Sequence, residues 1–512
     1  MAGGVAFSIP ASRRSLLLLA ALAFLLSSTG FTRADEPTGL QVAAALEQAV
    51  TQAISDCEKS VVSIARVSSD RQQATRDRRM GMFALGGTID PDPTDPDFVP
   101  EEFATGVIID AAGAILTNYH FAHYERDFYY VTTVDRKVFM AEFKPIAGDA
   151  RSDLAVLTIV KDSRDGSTTP IKPNDLVPIK FGDAKKLKKG QFVIALGNPY
   201  AIARDGQASA SWGIVSNLAR KIGPAKTGDL NGKPTLHHLG TYIQTDARLN
   251  LGTSGGALIN LQGEMVGLTT SLAALTGYEQ AAGYAIPVDE TFHRVIKALK
   301  AGKEVEYGFL GVQPRNLQMG EKLQGLQGAH LAQVSPGTPA FRAGLQVNDV
   351  VTHVNGEPIY DADGLRLQIA KLAPLAQAVL LVEHASSPID PNPKRKTEIR
   401  KVTVTKAPVL GKNIVTVREP DWRGLRVDFP TAFSPPLSAG EGEAAVAVDE
   451  VVEGSPAFKA GLRRQMLIAR VGDTSIETPD DFRREVAGRQ GPVSLRIVEF
   501  GHDPRTVTIP PQ

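Results

Sequence analysis

The chain has 512 residues, enough for three or four domains at about 100–200 residues each. Lys and Arg number 56 and Asp and Glu 56, and the formal net charge of zero argues against bulk electrostatic binding of nucleic acid or of an acidic membrane surface. A hydrophobic content of 43% with 22% charged residues excludes wholesale disorder, and the lone cysteine excludes an intramolecular disulfide framework or a Cys-based zinc cluster.

Residues 1–34 read as an address. Arg13 and Arg14 form a positive region, Leu16 to Leu26 an unbroken apolar run, and Thr32-Arg33-Ala34 places a small residue at a cut. That is the layout of a secretory signal peptide. The run is shorter than the roughly 20 apolar residues that cross a bilayer, which disfavours an uncleaved membrane anchor. Ser12-Arg13-Arg14 also permits a twin-arginine signal, although the leucine content favours the general export route. Cleavage predicts an exported protein of residues 35–512. Next, Leu46, Val50, Ile54 and Cys57 recur at helical spacing and predict a helix with Cys57 as a buried, inert thiol. The segment 69–100 is long and irregular. It carries Arg71, Arg76, Arg78 and Arg79 ahead of an apolar Met80–Leu85, and is expected to meet a neighbouring subunit or to cover a site.

From about residue 59 to 300, short alternating or Val/Ile-dense runs predict an all-β barrel or sandwich: Ser60–Val67, Thr105–Asp110, Leu154–Val160, Phe192–Ala195, Gly213–Ser216 and Glu264–Thr269. The 47 glycines and 33 prolines suit the turns this requires. A strand over Ala114–Thr117 runs into Asn118-Tyr119-His120 and delivers an imidazole just past its end. Asp153 opens the apolar run Leu154–Leu157, where a half-buried carboxylate can orient one imidazole nitrogen. Gly252-Thr253-Ser254-Gly255-Gly256 can expose the Ser254 hydroxyl and point the amides of Gly252 and Ser254 at one oxyanion. The pentapeptide also fits the G-x-S-x-G elbow of α/β-hydrolases. That elbow leads into a helix, whereas Ala257–Thr270 reads as two strands around Gln262-Gly263, and both His120 and Asp153 precede the serine. The order His, Asp, Ser belongs to the chymotrypsin-like double β-barrel. His123, Asp149, His237, His238 and His293 are the decoys, read as solvated or structural. No phosphate-binding loop and no metal-ligand spacing occurs, so no cofactor and no metal is expected.

The second half repeats itself at an offset of domain length. Pro339-Ala340-Phe341 with Ala343-Gly344-Leu345 returns as Pro456-Ala457-Phe458 with Ala460-Gly461-Leu462. Each copy continues into a Val/Ile strand and a second helix, about Ala362–Leu372 and Pro479–Val486. The unit resembles a PDZ domain, in which a tight loop's amides cradle a peptide carboxylate and the peptide adds as a strand to a sheet edge. The resemblance implies peptide contacts at Phe309, Leu310, Gly311 and Val312 in the first copy and at Gly424, Leu425, Arg426 and Val427 in the second. Arg426 stands where the family has Gly, which weakens the expectation of peptide binding there.

Gly106–Ala122, Gly148–Ile159, Ala195–Asn217 and Gln244–Thr270, followed by the two repeats, resemble the HtrA/DegP family of trypsin-like serine proteases from about residue 40 to the end. Thr253 replaces the family's usual Asn and Ala257 its frequent Pro; neither change removes a reacting group. Behind the signal peptide at 1–34, the resemblance implies a mainly β chain: an N-terminal helix and a double β-barrel protease over 35–304, then α+β PDZ domains over 305–410 and 418–512. It implies a periplasmic endopeptidase acting on unfolded or damaged envelope proteins, with Ser254 as nucleophile, His120 as base and Asp153 as orienting carboxylate. The oxyanion donors would be Gly252 and Ser254, and the primary-specificity wall Gly267, Leu268, Thr269 and Thr270. With no acid in that wall, cleavage after small or aliphatic residues is expected, and not after Lys or Arg. Peptide C-termini at the PDZ domains and a homotrimer or a multiple of it complete the expectation, with no nucleic acid. The alternatives are a peptide-binding chaperone with a dead protease domain and, in a third class, an esterase of the α/β-hydrolase type.

Overall fold

The structure is a computed structural model that describes residues 1, 3–4, 38–68, 100, 102–122, 127–162, 176–198, 206–221, 240–270, 282–385, 395–408, 414–418, 421–434, 436–437, 445–498 and 503–511. Residues 5–34 of the expected signal peptide, the segment 69–99, and His123, His237 and His238 lie outside them. Among the described residues no helix is long and apolar enough to cross a membrane.

Helix α1 (Gly39–Cys57) opens the described chain, with Thr38 and Gln41 exchanging reciprocal hydrogen bonds at its start, a capping arrangement. Cys57 is buried at its end, its Sγ 3.1 Å from the Gly263 carbonyl. Burial, with help from the Asp56 charge and some opposition from Lys180, pushes that thiol up to about 11, so it stays protonated and unreactive.

Six strands then close a first barrel: β1 (Val61–Val67), β2 (Glu102–Ile108), β3 (Ala114–Asn118), β4 (Phe128–Thr132), β5 (Val138–Asp149) and β6 (Leu154–Asp162), in the order β1-β2-β3-β6-β5-β4. A one-turn helix α2 (Tyr119–Ala122) follows β3. Alternate side chains point inward, and Val62, Ile64, Ile108, Ile115, Tyr129, Val131 and Leu157 fill the barrel. A second barrel repeats the plan with β7 (Phe192–Gly197), β8 (Ser209–Arg220), β9 (Tyr242–Thr245), β10 (Ala257–Ile259), β11 (Met265–Thr270) and β12 (Gly283–Pro287), ordered β10-β11-β12-β9-β8-β7. Its core holds Val193, Val215, Ile243, Leu258 and Val266. Helix α3 (Glu290–Lys300) leaves this barrel, capped by the Asp289 carboxylate and buried along Phe292, Val295, Ile296 and Leu299. His293 on α3 packs edge-on against Phe181, as a structural residue does.

Two further units follow. The first holds β13 (Gly308–Phe309), β14 (Val312–Asn316), β15 (Ala329–Val334), α4 (Pro339–Arg342), β16 (Val350–Val354), β17 (Glu357–Pro358), α5 (Ala362–Ala370), β18 (Gln377–Ala385), β19 (Arg395–Thr403) and β20 (Thr405–Lys406), of which β13 and β20 pair as a separate two-stranded sheet. The second holds β21 (Leu425–Asp428), β22 (Val446–Val451), α6 (Pro456–Lys459), β23 (Leu467–Val471), β24 (Thr474–Ser475), α7 (Pro479–Val486), β25 (Val493–Val498) and β26 (Arg505–Ile509). Their paths, β14-β15-β16-β18-β19 and β21-β22-β23-β25-β26, are the same.

The register corrects one sequence reading. Val312 pairs with Val334 and Leu425 with Val451, and both ladders slip at the next step, at Gln313/Pro314 and Arg426/Val427. Gly424 is therefore the counterpart of Gly311. Both have left-handed backbone, φ +80 and +87. A Cβ on either would strike the residue that precedes the next short helix: Thr338 Cβ at 2.1 Å from Gly311, and Ser455 Cβ at 2.2 Å from Gly424. Arg426 does not occupy the glycine position. It lies within β21 and pairs with Glu450. The second loop is Trp422–Leu425 rather than Gly424–Val427, and it retains its glycine. The separation between paired strands is longer in the second copy, and an ungapped comparison misses that shift.

Candidate active site

The β3–β6 register builds the first half of the site. Asn118 pairs with Leu154, so the residues leaving β3 lie beside those entering β6. Tyr119 N–H and Asn118 Nδ2 donate to the Asp153 carbonyl at 3.0 and 3.2 Å. The Asp153 carboxylate accepts from Asn118 Nδ2 at 3.2 Å and from the His120 backbone N–H at 2.9 Å. It also accepts from His120 Nδ1, which lies 3.0 Å from Oδ1 and 2.9 Å from Oδ2. With Nδ1 as donor, Nε2 is left as the basic nitrogen. Asp153 is fully buried and has φ +56. A non-glycine residue held there costs about 1–3 kcal/mol and persists only where its surroundings over-determine it.

Burial alone would push His120 down. The Asp153 charge and hydrogen bond, joined by the Glu102 charge, outweigh it and hold the imidazole above its ordinary value.

Ser254 sits in the loop between β9 and β10, and that loop is tied to both barrels. Thr105 of β2 donates its N–H to the Ser254 carbonyl at 2.9 Å and its hydroxyl to the Gly252 carbonyl at 2.7 Å. The Thr105 carbonyl in turn accepts from Thr117 Oγ1 at 2.9 Å, three residues before His120 on the same run of chain. From the other side, Thr269 of β11 accepts the Gly255 N–H at 2.9 Å and donates its hydroxyl to Thr253 at 2.6 Å. Gly255 has φ +83, and a Cβ there would lie 2.1 Å from the Thr105 carbonyl oxygen. Only glycine lets the serine loop lie this close to β2. The amides of Thr253, Gly255 and Gly256 bond Asn250, Thr269 and Thr253, which removes all three as oxyanion donors.

The structure thus joins His120 to Asp153 directly and ties Ser254 to β2 at Thr105, whose carbonyl bonds Thr117 on β3, the strand that leads to His120. Gly267, Leu268, Thr269 and Thr270 are buried on β11, next to the serine loop. After β10 the chain turns at Asn260, whose side-chain oxygen accepts the Gln262 and Glu264 amides, and enters β11. No helix follows the serine, so the hydrolase elbow is excluded. Phe309 to Val312 run from the end of β13 to the start of β14; on the latter, α5 reaches over the strand, Arg366 donating to the Pro314 carbonyl at 3.2 Å.

Sequence reasoning passed over Asn118 and Thr105, although a buried polar residue two positions before a candidate histidine is a readable sign. It set Asp149 aside as a decoy. Asp149 is buried and bonded to Ser152, Arg151 and Tyr307. Among the described residues no cluster of three or more His, Cys, Asp or Glu could hold a metal ion.

Residues 104–268 match the family model of the trypsin-like peptidase domain, and residues 330–377 that of the PDZ domain. The periplasmic pH-dependent serine endoprotease DegQ of Escherichia coli (strain K12) is 30% identical over 447 residues, covering 86% of this chain and 86% of that protein. A probable periplasmic serine endoprotease, DegP-like, of Brucella suis is 30% identical over 397 residues, covering 76% of this chain and 69% of its own length. A probable periplasmic serine protease, do/HhoA-like, of Haemophilus influenzae is 35% identical over 271 residues, 52% of each chain. Each relative carries the name of a protease, and the non-proteolytic alternative gains no support from them.

Proposed function

Because the chain belongs to the HtrA/DegP family of trypsin-like serine proteases carrying a PDZ domain, and is a serine endopeptidase, we propose that it hydrolyses peptide bonds by acyl transfer at Ser254. His120 takes the serine proton on Nε2 and returns it to the leaving amine, while Asp153 holds the tautomer and stabilises the imidazolium. The amides of Gly252 and Ser254 receive the oxyanion. The observation that carries this assignment is the buried Asp153 carboxylate, which accepts both the backbone N–H and Nδ1 of His120. Gly267 to Thr270 form the primary-specificity wall and select small or aliphatic side chains.

The substrates in this reading are unfolded or damaged polypeptides of the bacterial envelope, reached after removal of residues 1–34. The protease occupies 35–304, the first PDZ domain 305–410 and a second 418–512. The shared strand path and the equivalent Gly311 and Gly424 support the second assignment. Peptide ends dock at Phe309–Val312, and in the second unit at Trp422–Leu425. The working unit is a homotrimer or a multiple of it.

The test is degradation of casein by the full chain and by Ser254→Ala, with cut sites mapped and oligomer mass measured on the same preparation. Loss of cleavage on substitution supports the reading. Unchanged degradation refutes Ser254 as the nucleophile, and dominant cuts after Lys or Arg refute the pocket.

A further inference from the structure

The turn that presents Asp153 is held from behind by a residue outside both barrels. Asp149 ends β5, and its carboxylate gathers three donors: Ser152 N–H at 3.0 Å, Arg151 Nε at 3.1 Å and Tyr307 Oη at 2.5 Å. The Ser152 hydroxyl closes the turn on the Asp149 carbonyl at 3.4 Å. Arg151 lies over the Tyr307 ring, 4.5 Å from its centroid, and donates to the Val305 carbonyl at 2.5 Å. Tyr307 and Val305 belong to the connector that leaves α3 and becomes β13. Asp149, Arg151, Ser152, Asp153 and Tyr307 are all buried. Just upstream, Gly148 exchanges both backbone hydrogen bonds with Ile414, at 3.0 and 2.9 Å, and Ile414 packs in the core cluster with Tyr119 and Phe121.

We propose that Tyr307 is a positioning residue for the hydrolytic reaction: its hydroxyl, donated to Asp149, locks the 149–153 turn in the conformation that aims Asp153 at His120. Asp153 holds a left-handed backbone that the chain would otherwise relax. Asn118, Tyr119 and His120 restrain it from the front. From behind, the restraint passes through Asp149, whose carboxylate is fixed by one donor from outside the turn, Tyr307. Burial, followed by the Asp149 charge and hydrogen bond, holds the Tyr307 phenol well above its ordinary range, so it remains a donor at any working pH. The inference rests on the reading of Asp153 as the residue that orients His120.

Tyr307→Phe tests it in the full chain, because it keeps the ring under Arg151 and deletes one hydroxyl. Rates are measured on a short peptide substrate, with active sites titrated so that unfolded molecules do not count. A lapse of about 1 Å in catalytic geometry can cost on the order of a hundredfold, so a fall in kcat of about tenfold with little change in KM is expected. The acid limb of the pH profile shifts to lower pH, since a misaimed Asp153 raises His120 less. Asp153→Asn is the reference. If it abolishes activity while Tyr307→Phe leaves kcat and the acid limb unmoved, the inference is overturned. A fall in kcat with an unmoved acid limb marks a merely structural tyrosine and overturns it too. An unimpaired Asp153→Asn enzyme sinks the triad reading, and this inference with it.

Discussion

Gly424→Ala discriminates between the two placements of the second unit's loop. The backbone there has φ +80, and an added Cβ would stand 2.2 Å from Ser455 Cβ, 2.4 Å from Ser455 Oγ and 3.3 Å from Val452 Cβ. Left-handed backbone costs a residue with a Cβ about 1–2 kcal/mol, and forcing an extra methyl into filled space about 1–3 kcal/mol, so the unit should lose about 2–5 kcal/mol. Arg426→Ala breaks a half-exposed pair with Glu450 and should cost about 0–1 kcal/mol. The protein supplies its own probe. It has two tryptophans, and Trp422 lies at this loop, ring to ring with Phe482 at 6.0 Å and under the Arg423 guanidinium at 4.6 Å. In a Trp212→Phe background, fluorescence during urea unfolding follows the second unit alone. Gly424→Ala should move that midpoint clearly downward and Arg426→Ala barely. If Arg426→Ala is the more damaging, or Gly424→Ala is silent, Gly424 is not the counterpart of Gly311 and the loop lies elsewhere.

Activity should fall on acidification with a midpoint above 6.5, because His120 is held above its ordinary value and must be neutral to act as base. Stability runs the other way: a raised folded value means His120 stabilises the fold fully below its unfolded value and loses that contribution as pH rises through the folded one. Parallel kcat/KM and thermal-unfolding profiles check both signs, and an acid limb below 6.5 contradicts the Asp153 arrangement. Gly255→Ala should cut kcat at least a hundredfold, since its Cβ would meet the Thr105 carbonyl oxygen at 2.1 Å and push the serine loop off β2. Kinetics on folded protein decide this, and near-normal turnover refutes the close approach.

The parts legible in the sequence are those whose cause is local. Dense or alternating apolar runs marked β1, β6, β7 and β11, because burial on one or both faces is written into consecutive residues. The short β9 and β12 went unnamed: Tyr242–Thr245 and Gly283–Pro287 become strands only when a barrel supplies neighbours on both sides. The proposed triad of His120, Asp153 and Ser254 stands out in the sequence because each proposed role needs its residue type at a strand end or between glycines. What they rest on was not. Asp149 read as a decoy since its meaning depends on Tyr307, 158 residues further on, and nothing around Tyr307 announces a hydrogen bond. The misplaced second loop has the same origin. Gly424 and Arg426 are two positions apart, and only pairing with β22 tells which one lies at the strand's entrance. A residue whose function is a reaction is visible by its type. A residue whose function is to aim another is visible only through the register that brings the two together. The leads that most need a structure in this chain are therefore the buried polar residues that motif reading dismissed.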